Sequence, residues 1–513
     1  MFGAVASFFD VHLSSLSPLL CVCVIILLAC FILSRSPAGK GDNAPPGPWG
    51  WPVIGNLPQL GKKPHVTLTQ LRKKYGDVYK ITLGSRQTVV LNGLYTIKQA
   101  LVKQAEEFAG RPDFYSFKFI GNGKSMGFGD YGPRWKMHRR LAQNALAGCI
   151  NKKTNPIEES IVSEAGVLVS NLLASNGAPI NPHNEIYLSV GNIICALCFG
   201  KRYKRDDPDF LQLIRMNDEF MAFAGAGNPV DIMPWVRFFT FRSFNTFVGI
   251  LNTMTAFCVK KQKEHLDTYD PAVARDVTDL LIRAVQETPD EEKEAVGLTD
   301  EHILTTVQEL IGAGFDTIAS TLQWSVLFMM AYPDHQDKVY EEISSHVAHT
   351  GTLDLEDMNN LPFTEACLLE IMRHSCIFPF ALPHSTTKDT SLKNYHIANK
   401  TLIFVNMWSV SHDEDLFPDP DRFDPYRFLD DTGRRIDKAK TELFLPFGVG
   451  RRRCPGEQLA KMELFLFFAT MMLKCKFESP LGDAPVIDSK YGLTLKPVDF
   501  EVVVTKRQPK DNN

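Results

Sequence analysis

The chain has 513 residues, 44% of them hydrophobic and 22% charged, so it can bury a large core. Its formal net charge of -4 gives no support for nucleic-acid binding. The eleven cysteines are odd in number and irregularly spaced. This argues against a disulfide framework or a zinc site built from Cys-x-x-Cys pairs, and it places the body of the chain in a reducing compartment.

The first predicted element is an apolar run from Leu16 to Leu33 that carries no charge. A run of this length is sufficient to cross a bilayer as a helix. No Lys or Arg precedes it, whereas Arg35 and Lys40 follow it, which predicts a lumenal N-terminus and a cytosolic body. A cleaved signal peptide is the alternative, but the basic segment that normally begins one is missing. We therefore predict a membrane anchor in residues 1–34.

A linker is predicted in residues 35–52. It ends in the segment Pro45–Pro52, which has too many proline and glycine residues for a helix or a central strand. The plain interpretation is a stiff spacer between the anchor and the remaining residues 53–513. Length alone favours two to four domains in the whole chain.

The body reads as mostly helical. A short amphipathic helix is predicted at Val66–Tyr75, and a second helix at Tyr95–Ala105. Between them, Val78–Leu83 and Thr88–Leu91 have the composition of strands joined by a Gly-Ser turn. Helical periodicity dominates residues 141–348. These patterns predict a mainly α protein with a minor β part.

Four motifs in this body carry possible chemistry. The first is Trp135 and Arg139, whose spacing of four residues places them on one helical face. Taken alone, this pair is best interpreted as packing.

The second motif lies inside a long predicted helix, Asp300–Tyr332. Gly312 and Gly314 stand in mid-helix, followed by Asp316 and Thr317, and all are locally unfavourable there. Such conflict between local preference and fold often marks a functional site. A notch that lets another helix pack closely is an equally good interpretation of the glycines.

The third motif is Glu370 and Arg373, an acid and a base three residues apart on a predicted helix. An exposed ion pair of little energetic value is the default interpretation. Arg427, in the segment Pro425–Phe428 downstream, becomes relevant to this pair below.

The fourth motif is a single cysteine, Cys454, in the glycine-punctuated segment Phe447–Gly456. A strong helical pattern starts directly after it at Glu457, and the positive end of a helix favours a thiolate. Gly450 and Gly456 permit backbone angles that other residues resist. The alternative is a buried, inert cysteine in a turn.

The pattern Phe-x-x-Gly-x-Arg-x-Cys-x-Gly in this segment resembles the haem-binding loop of cytochromes P-450 at every fixed position. The segment Gly312–Thr317 resembles the oxygen-binding part of a long helix in that family. Glu370-x-x-Arg373 with Arg427 resembles the family's brace behind the haem. The motifs occur in the family's order, and the resemblance extends from Pro45 to the C-terminal strands. It implies one P-450 domain in residues 53–513 rather than several.

The resemblance implies haem b as the cofactor and Cys454 as the axial thiolate ligand of its iron. Trp135, Arg139 and Arg452 would contact a haem propionate. The further residues of the implied cofactor loop are Phe447, Gly448 and Gly456.

The resemblance also assigns roles on the opposite side of the haem. The hydroxyl of Thr317 would hold bound dioxygen and its proton, and Asp316 would help to relay the proton. Glu370, Arg373 and Arg427 would serve folding and haem retention rather than chemistry.

Other segments, including Gly110–Phe117 and Pro383–Thr387, resemble family 1 of animal P-450s, which is associated with planar aromatic compounds. We expect a flat slot for such substrates, and the residues predicted to line it are Phe117, Phe220, Ala313 and Phe315. Some of these phenylalanines have ordinary core packing as the alternative. Pro455 stands where the A subfamily has isoleucine, and residues 217–227 also differ. These departures point outside the main A branch, with the D subfamily as one candidate.

The implied reaction inserts one oxygen atom from dioxygen into a lipophilic substrate. Electrons would come from NADPH through a separate reductase, because the sequence has no dinucleotide-binding fingerprint of its own. Cytochrome b5 is a further candidate partner, and basic residues Lys136, Arg140, Arg451 and Arg453 suit an acidic partner or form a solvated rim. The implied location is the endoplasmic reticulum membrane, with the catalytic domain facing the cytosol.

Two other functions remain open at this point. Some proteins with this fold isomerise or dehydrate peroxides without dioxygen or a reductase, although these often lack the pair that matches Asp316 and Thr317 here. A non-enzymatic haem protein is the second alternative. Within the monooxygenase interpretation, fatty acids, steroids and retinoids also remain possible substrates.

Overall fold

The computed structural model describes residues 43–150, 156–225, 227–239, 241–350 and 353–508, together with Pro18, Val22, Cys23, Ile25, Ile26 and Ala29. Apart from these six positions, the predicted anchor in residues 1–34 lies outside the described residues, and so do residues 35–42. Among the described residues, no helix is both long enough and apolar enough to span a membrane.

Helices dominate the described chain. They are α1 Leu57–Leu60, α2 Pro64–Tyr75, α3 Leu94–Lys98, α4 Pro133–Ile150, α5 Pro156–Leu173, α6 His183–Phe199, α7 Pro208–Gly225, α8 Pro229–Ile232, α9 Phe241–Asp267, α10 Val277–Glu287, α11 Asp290–Ala295, α12 Asp300–Ala331, α13 Pro333–Thr350, α14 Pro362–Ser375, α15 Trp408–Ser411, α16 Lys438–Thr441 and α17 Glu457–Lys474. Short 3₁₀ turns occur at Ser116–Lys118, Ile120–Gly123, Pro234–Phe238, Leu355–Asn360, Pro425–Phe428 and Gly450–Arg452, and a π turn at Gln99–Lys103.

The strands are short and few. They are β1 Val78–Leu83, β2 Arg86–Leu91, β3 His384–Ser385, β4 Thr390–Leu392, β5 Tyr395–Ile397, β6 Leu402–Val405, β7 Cys475–Glu478, β8 Ser489–Lys490, β9 Lys496–Pro497 and β10 Val503–Lys506. The largest sheet has the order β1-β2-β6-β3, and the remaining strands form two-stranded sheets. The prediction of a mainly α fold with a minor β part is confirmed.

The predicted hairpin is confirmed, with β1 and β2 antiparallel and Val78 opposite Leu91. β6 then pairs with β2 in parallel, so that residues from both ends of the domain meet in one sheet. The helix predicted at Tyr95–Ala105 is shorter than expected, because α3 continues as the π turn Gln99–Lys103.

Helix α12 runs through the principal core. Its sequence is apolar on nearly all sides, which is typical of a helix buried by its neighbours. It begins at a capping box, in which His302 Nδ1 accepts from the N–H of Thr299 at 3.2 Å. It ends at Ala331 because Pro333 disfavours a helical conformation at Tyr332.

The two mid-helix glycines of α12 differ in their surroundings. A Cβ at Gly314 would lie 2.5 Å from Ile194 Cδ1 of α6, so this glycine permits the close packing of the two helices. A Cβ at Gly312 would meet no atom within 4 Å. The packing interpretation therefore accounts for Gly314 and leaves Gly312 unexplained by crowding.

The acidic sequence of residues 288–294 predicts a solvated loop. This prediction is wrong, because helix α11 begins at Asp290. Pro289 precedes the first turn, which contains Asp290, Glu291 and Glu292. Acidic side chains at a helix N-terminus are stabilised by the macrodipole. Lys293 also pairs with Asp290, with Nζ and Oδ1 2.9 Å apart.

Behind the core, Glu370 and Arg373 of α14 form an ion pair with 0% side-chain exposure on both residues. Arg373 donates to both carboxylate oxygens, at 2.7 and 2.8 Å. Arg427 lies with Nε 3.4 Å from Glu370 Oε1 and donates to the carbonyl of Asp419 at 2.6 Å. The default interpretation of an exposed pair is wrong, because neighbouring segments cover these residues completely.

We expect Glu370→Gln to destabilise the protein by about 3–5 kcal/mol, since it leaves a buried guanidinium without its counter-charge. The free energy of unfolding in urea measures this. Asp499→Asn is the control, because the pair of Lys490 with Asp499 is exposed and its loss should not change stability measurably. Equal stability of Glu370→Gln and the parent would contradict the structural role of the pair.

Candidate active site

The Cys454 loop is held by its own backbone and by one close contact. The N–H of Cys454 donates to the carbonyl of Phe447 at 2.9 Å. Gly450 has φ +74°, and a Cβ there would lie 1.8 Å from the carbonyl oxygen of Leu101. Glycine is therefore required at this position, both for the left-handed backbone and for the packing on the π turn.

Cys454 is exposed as a residue, whereas every other described cysteine between residues 43 and 508 is buried. Those buried cysteines are Cys149, Cys195, Cys198, Cys258, Cys367, Cys376 and Cys475. The alternative of an inert cysteine packed in a turn therefore does not describe Cys454. A cysteine in an exposed position at the start of a helix is available to bind a metal ion.

The pKa of the Cys454 thiol is raised, whereas its position at a helix N-terminus predicts a lowered pKa. Desolvation by the surrounding loop raises the pKa of Cys454, while the N–H of Gly456 and the nearby Arg139 oppose the rise. A bound metal cation would supply the charge that deprotonates the sulfur. Gly456 has φ −92°, which any residue can adopt, and a Cβ there would lie 4.0 Å from the sulfur. We infer that glycine leaves space beside Sγ rather than relieving strain.

The predicted propionate contacts come together around one tryptophan. The indole Nε1 of Trp135 donates to the carbonyl of Met126 at 2.9 Å. The guanidinium carbon of Arg452 lies 4.3 Å from the centre of the Trp135 ring, and that of Arg139 lies 5.4 Å from it. Arg139 also donates to the carbonyl of Arg453, beside Cys454. The structure therefore brings Trp135 and Arg139 of helix α4 together with Arg452 of the cysteine loop.

Sequence reasoning missed a further cation at this place, Arg111. It donates from Nε to the carbonyl of Gly127 at 2.8 Å and from Nη1 to that of Pro383 at 2.8 Å. His384 lies beside it, and burial together with Arg111 lowers the pKa of His384 to about 3. A bridge between Gly110 and Ser385 joins these two segments. No spacing in the sequence connects residues so far apart.

The cations of this cluster are bound to carbonyls rather than to acids. Arg452 donates to the carbonyls of Ala109, Met126 and Gly129, at 2.9, 3.2 and 2.8 Å. Among the described residues, none of the three guanidiniums of Arg111, Arg139 and Arg452 forms an ion pair. Asp130, the acid whose charge acts on Arg452 and Arg111, pairs instead with Lys400 at 2.7 Å.

Burial and the neighbouring Arg111 lower the pKa of Arg452 to about 8, and burial and Arg139 lower that of Arg111 to about 9. Because a guanidinium remains protonated in proteins, these shifts mean that the cluster carries positive charge without enough counter-charge. An anion with two carboxylates would supply it. The exposed cysteine and this cationic cluster together fit haem, which has an iron for the sulfur and two propionates for the arginines.

The carbonyls that hold these cations belong to a loop that is itself bound by Glu309, a second residue that sequence reasoning missed. Glu309 Oε1 accepts from the N–H of Gly127 at 2.8 Å and from the hydroxyl of Ser125. Its other oxygen has no partner among the described residues. Burial raises the pKa of this carboxyl group, while the bond from Ser125 opposes the rise. Glu309 thus couples α12 to the loop that orients Arg452.

One face of α12 combines a small residue with a hydroxyl group. Ala313 is exposed, Thr317 is half-buried, and their spacing of four residues places them on the same face as Glu309. Thr317 Oγ1 donates to the carbonyl of Ala313 at 2.8 Å. This face has the space and the hydroxyl group that the sequence comparison with P-450s predicts.

Asp316 does not lie on the face of α12 that carries Ala313 and Thr317. Its side chain is fully buried, and Oδ1 accepts from the hydroxyl of Tyr187 and lies 2.7 Å from Lys496 Nζ. Oδ2 accepts from Thr494 at 2.5 Å. The predicted proton relay through Asp316 is therefore not supported, because the carboxylate is already engaged by α6 and the C-terminal strands. Its position indicates an anchor for α12.

The residues predicted to line the substrate slot differ in how far the structure buries them. Phe117 is half-buried, and its ring centre lies 4.8 Å from that of Phe128. Phe220 is buried and stacks on Phe247 at 6.1 Å. Phe315 has 0% exposure and packs within the principal core, so its prediction as a slot residue is corrected. It stands two residues from Ala313, which places it on another side of the helix.

Comparison with known proteins agrees with this geometry. A family model described as Cytochrome P450 matches residues 45–504. Cytochrome P450 1A1 of Homo sapiens is 42% identical over 485 residues, which cover 92% of this chain and 94% of the relative. Cytochrome P450 1A5 of Gallus gallus is 41% identical, covering 92% of this chain and 91% of the relative. Cytochrome P450 1A1 of Sparus aurata is 39% identical, covering 94% of each.

We expect Arg452→Gln to release haem roughly tenfold faster than the parent, because a buried charge-assisted contact contributes about 1.5–3 kcal/mol. Transfer of haem to apomyoglobin measures the rate. Arg451→Gln is the matched control on the same loop, since Arg451 is exposed and its contact with Glu106 is 3.5 Å long. Equal transfer rates for the two variants would contradict a role of Arg452 in haem retention.

We expect Cys454→Ser to abolish the red-shifted band of the carbon-monoxide difference spectrum, since that band requires a thiolate ligand. Cys23→Ser, which changes the other exposed cysteine among the described residues, should leave the band intact. A band that persisted in Cys454→Ser would show that another group binds the iron.

Proposed function

Because this chain belongs to the cytochrome P450 family, we propose that it oxidises planar aromatic compounds in a site between α12 and the turn that contains Phe117. The protein is a haem-thiolate monooxygenase that uses haem b, with NADPH electrons supplied through a reductase. The observation that carries the placement of the site is the exposed residue Cys454 beside three guanidiniums without ion-pair partners among the described residues.

The residues around this site would hold the cofactor from two sides. Cys454 would bind the iron, and Trp135, Arg139 and Arg452 would receive the propionates, together with Arg111. Phe447, Gly448 and Gly456 would shape the loop that presents the sulfur. Haem supplies the iron at which dioxygen is bound and activated.

On α12, Thr317 would hold a proton at Oγ1 and could donate it within the site. Its hydroxyl group already has an acceptor in the carbonyl of Ala313, at 2.8 Å. Rotation of that hydroxyl toward another acceptor in the site would exchange one hydrogen bond for another, at little cost. Asp316 would keep this part of α12 in place through its bonds to Tyr187 and Lys496.

The slot that we propose for a flat substrate rests on two features. The exposed Ala313 is small, and the rings of Phe117 and Phe128 provide apolar faces on which fused rings can stack. A panel of fused-ring ethers and fatty acids, assayed with NADPH and reductase, tests this assignment. Turnover of a hydroperoxide without reductase would favour the isomerase alternative instead, and fatty acids as the preferred substrates would exclude a slot specific for planar rings.

We also propose how the domain meets the membrane of the endoplasmic reticulum. Trp235, Phe238 and Phe239 are 48%, 69% and 76% exposed on and beside one short turn, as expected for side chains that enter a lipid interface. Residues 1–34 would form the anchor and residues 35–52 the linker, with the catalytic domain 53–513 facing the cytosol.

The partners on the cytosolic side would be a reductase and cytochrome b5. Of the basic residues proposed for docking, Lys136 and Arg451 both lie near Glu106, and Arg453 pairs with Glu457. Arg140 is exposed and is the better candidate for a free contact.

We expect Thr317→Ala to lower the amount of product formed per NADPH consumed roughly tenfold. This is a smaller effect than the loss of a complete general acid, which typically lowers a rate by a factor of about 100 or more. NADPH consumption should continue, with the reduced oxygen released as hydrogen peroxide. Thr305→Ala is the matched control, because Thr305 also donates to the carbonyl four residues earlier on α12. If Thr317→Ala coupled NADPH to product as well as the parent, the proton-holding role would be wrong.

A further inference from the structure

Two acids lie beside the exposed cations of the cysteine loop and α4. Glu106 follows the π turn Gln99–Lys103, and Glu457 is the first residue of α17. Each acid pairs with two cations, so the positive charge available to a partner at this surface is smaller than the sequence indicates. The cations of Glu106 come from two separate elements of the fold.

One carboxylate oxygen of Glu106 has three neighbouring donors. Oε1 accepts from the hydroxyl of Tyr131 at 2.8 Å and from Nζ of Lys136 at 2.9 Å. The same oxygen lies 3.5 Å from Nη2 of Arg451. Lys136 belongs to α4 and Arg451 to the turn Gly450–Arg452 of the cysteine loop. A single acid therefore engages a cation from each of the two elements that surround the haem-binding cysteine.

The backbone beside Glu106 is fixed, which keeps this carboxylate close to its cations. Thr387 donates from Oγ1 to the carbonyl of Glu106 at 3.0 Å and from its N–H to the carbonyl of Glu107 at 2.8 Å. Hydrogen bonds from Lys136 and Tyr131 lower the pKa of Glu106. The side chain thus carries a negative charge at neutral pH.

The contacts of Glu106 are exposed, so a partner protein can displace them. The side chains of Glu106, Lys136 and Arg451 are 56%, 51% and 54% exposed. Solvent screens ion pairs of this kind, and each contributes little to stability. While they are intact, they occupy two cations and leave a carboxylate that repels an acidic surface.

Glu457 differs from Glu106 in its surroundings. Its side chain is only 16% exposed, and it pairs with Arg453 at 2.6 Å and with Lys461 at 2.9 Å. An acid in the first turn of a helix is also stabilised by the macrodipole. Glu457 therefore has a structural role in α17, whereas Glu106 is the acid that a partner can displace.

We propose that Glu106 restrains the docking of an acidic electron-transfer partner by occupying Lys136 and Arg451 until carboxylates of the partner replace it. This inference rests on the proposed function, because it describes the regulation of the reductase contact. Arg140 is exposed and forms no ion pair among the described residues, so it is free for the first encounter. The exchange replaces internal ion pairs with intermolecular ones, and the small net gain allows the complex to dissociate.

Biolayer interferometry of the full-length, haem-loaded protein with an immobilised P450 reductase, in a non-ionic detergent, tests the proposal. We expect Glu106→Gln to bind roughly threefold more tightly at low salt, mainly through faster association, because a charge at the rim of an interface acts on the encounter. The gain should disappear in about 1 M salt, where the Debye length is about 3 Å. Misfolding cannot produce a gain in affinity that salt removes.

The matched control is Asp499→Asn, which removes the same charge from the exposed pair with Lys490. A double-mutant cycle adds a second measurement. Lys136→Gln should weaken binding more in the Glu106→Gln background than in the parent, because Lys136 has lost its internal partner there.

Equal affinities of Glu106→Gln and Asp499→Asn would overturn this inference. Equal losses from Lys136→Gln in the two backgrounds would also overturn it, because Glu106 would then act through net charge and not by occupying the cations. An absence of reductase binding by the parent and by every variant would contradict the proposed function together with this inference.

Discussion

Positive charge that is removed from much of the solvent, without an ion-pair partner among the described residues, is the constraint on which the site depends. Arg111, Arg139 and Arg452 converge on Trp135, and each is held by backbone carbonyls rather than by carboxylates. Burying several cations together is costly unless an anion joins them. The unfavourable free energy of the unpaired arginines would be relieved when a cofactor with two carboxylates binds, and this relief would contribute to its affinity. The same cluster lies next to Cys454. The arginines could therefore bind the propionates of a haem whose iron binds the cysteine sulfur.

The rest of the fold maintains that arrangement. The loop from Ser125 to Gly129 offers its carbonyls to the cations and its N–H groups to Glu309, so one short segment connects the propionate side with α12. α12 is in turn held by Asp316 through Tyr187 and Lys496. The buried pair of Glu370 and Arg373 orients Arg373, which donates to the carbonyls of Ser411 and Pro420 and so joins α14 to the chain that leads to the cysteine loop. The catalytic groups therefore rest on buried electrostatic contacts, which rigidify only when every partner is present.

The surface around the turns Ser116–Lys118 and Pro234–Phe238 is organised differently. There the charges of Lys118 and Arg237 are exposed, and the aromatic side chains of Trp235 and Phe238 face outward. Exposed charges contribute little to binding or stability, because solvent screens them. Asp231 joins α8 to the turn at Ser116–Lys118 through Ser116, and Ser85 donates from its N–H to the carbonyl of Ile232. A buried cationic cluster and a surface of exposed charges and aromatic rings thus occur in one domain.

Local patterns determined much of this protein without tertiary information. The spacing around Cys454 predicted the ligand loop, because a chelating turn needs its glycines and cysteine within a few consecutive residues. The alternation at Val78–Leu83 and the long apolar run of α12 also predicted their elements correctly, because each pattern lies within consecutive residues. Tertiary structure alone decided which helical face meets which neighbour. It brought Arg111 to Arg452 across the chain, turned Asp316 away from Thr317, and buried Phe315. One residue along a helix rotates the side chain by about 100°, so neighbours in sequence can serve the core and the site separately.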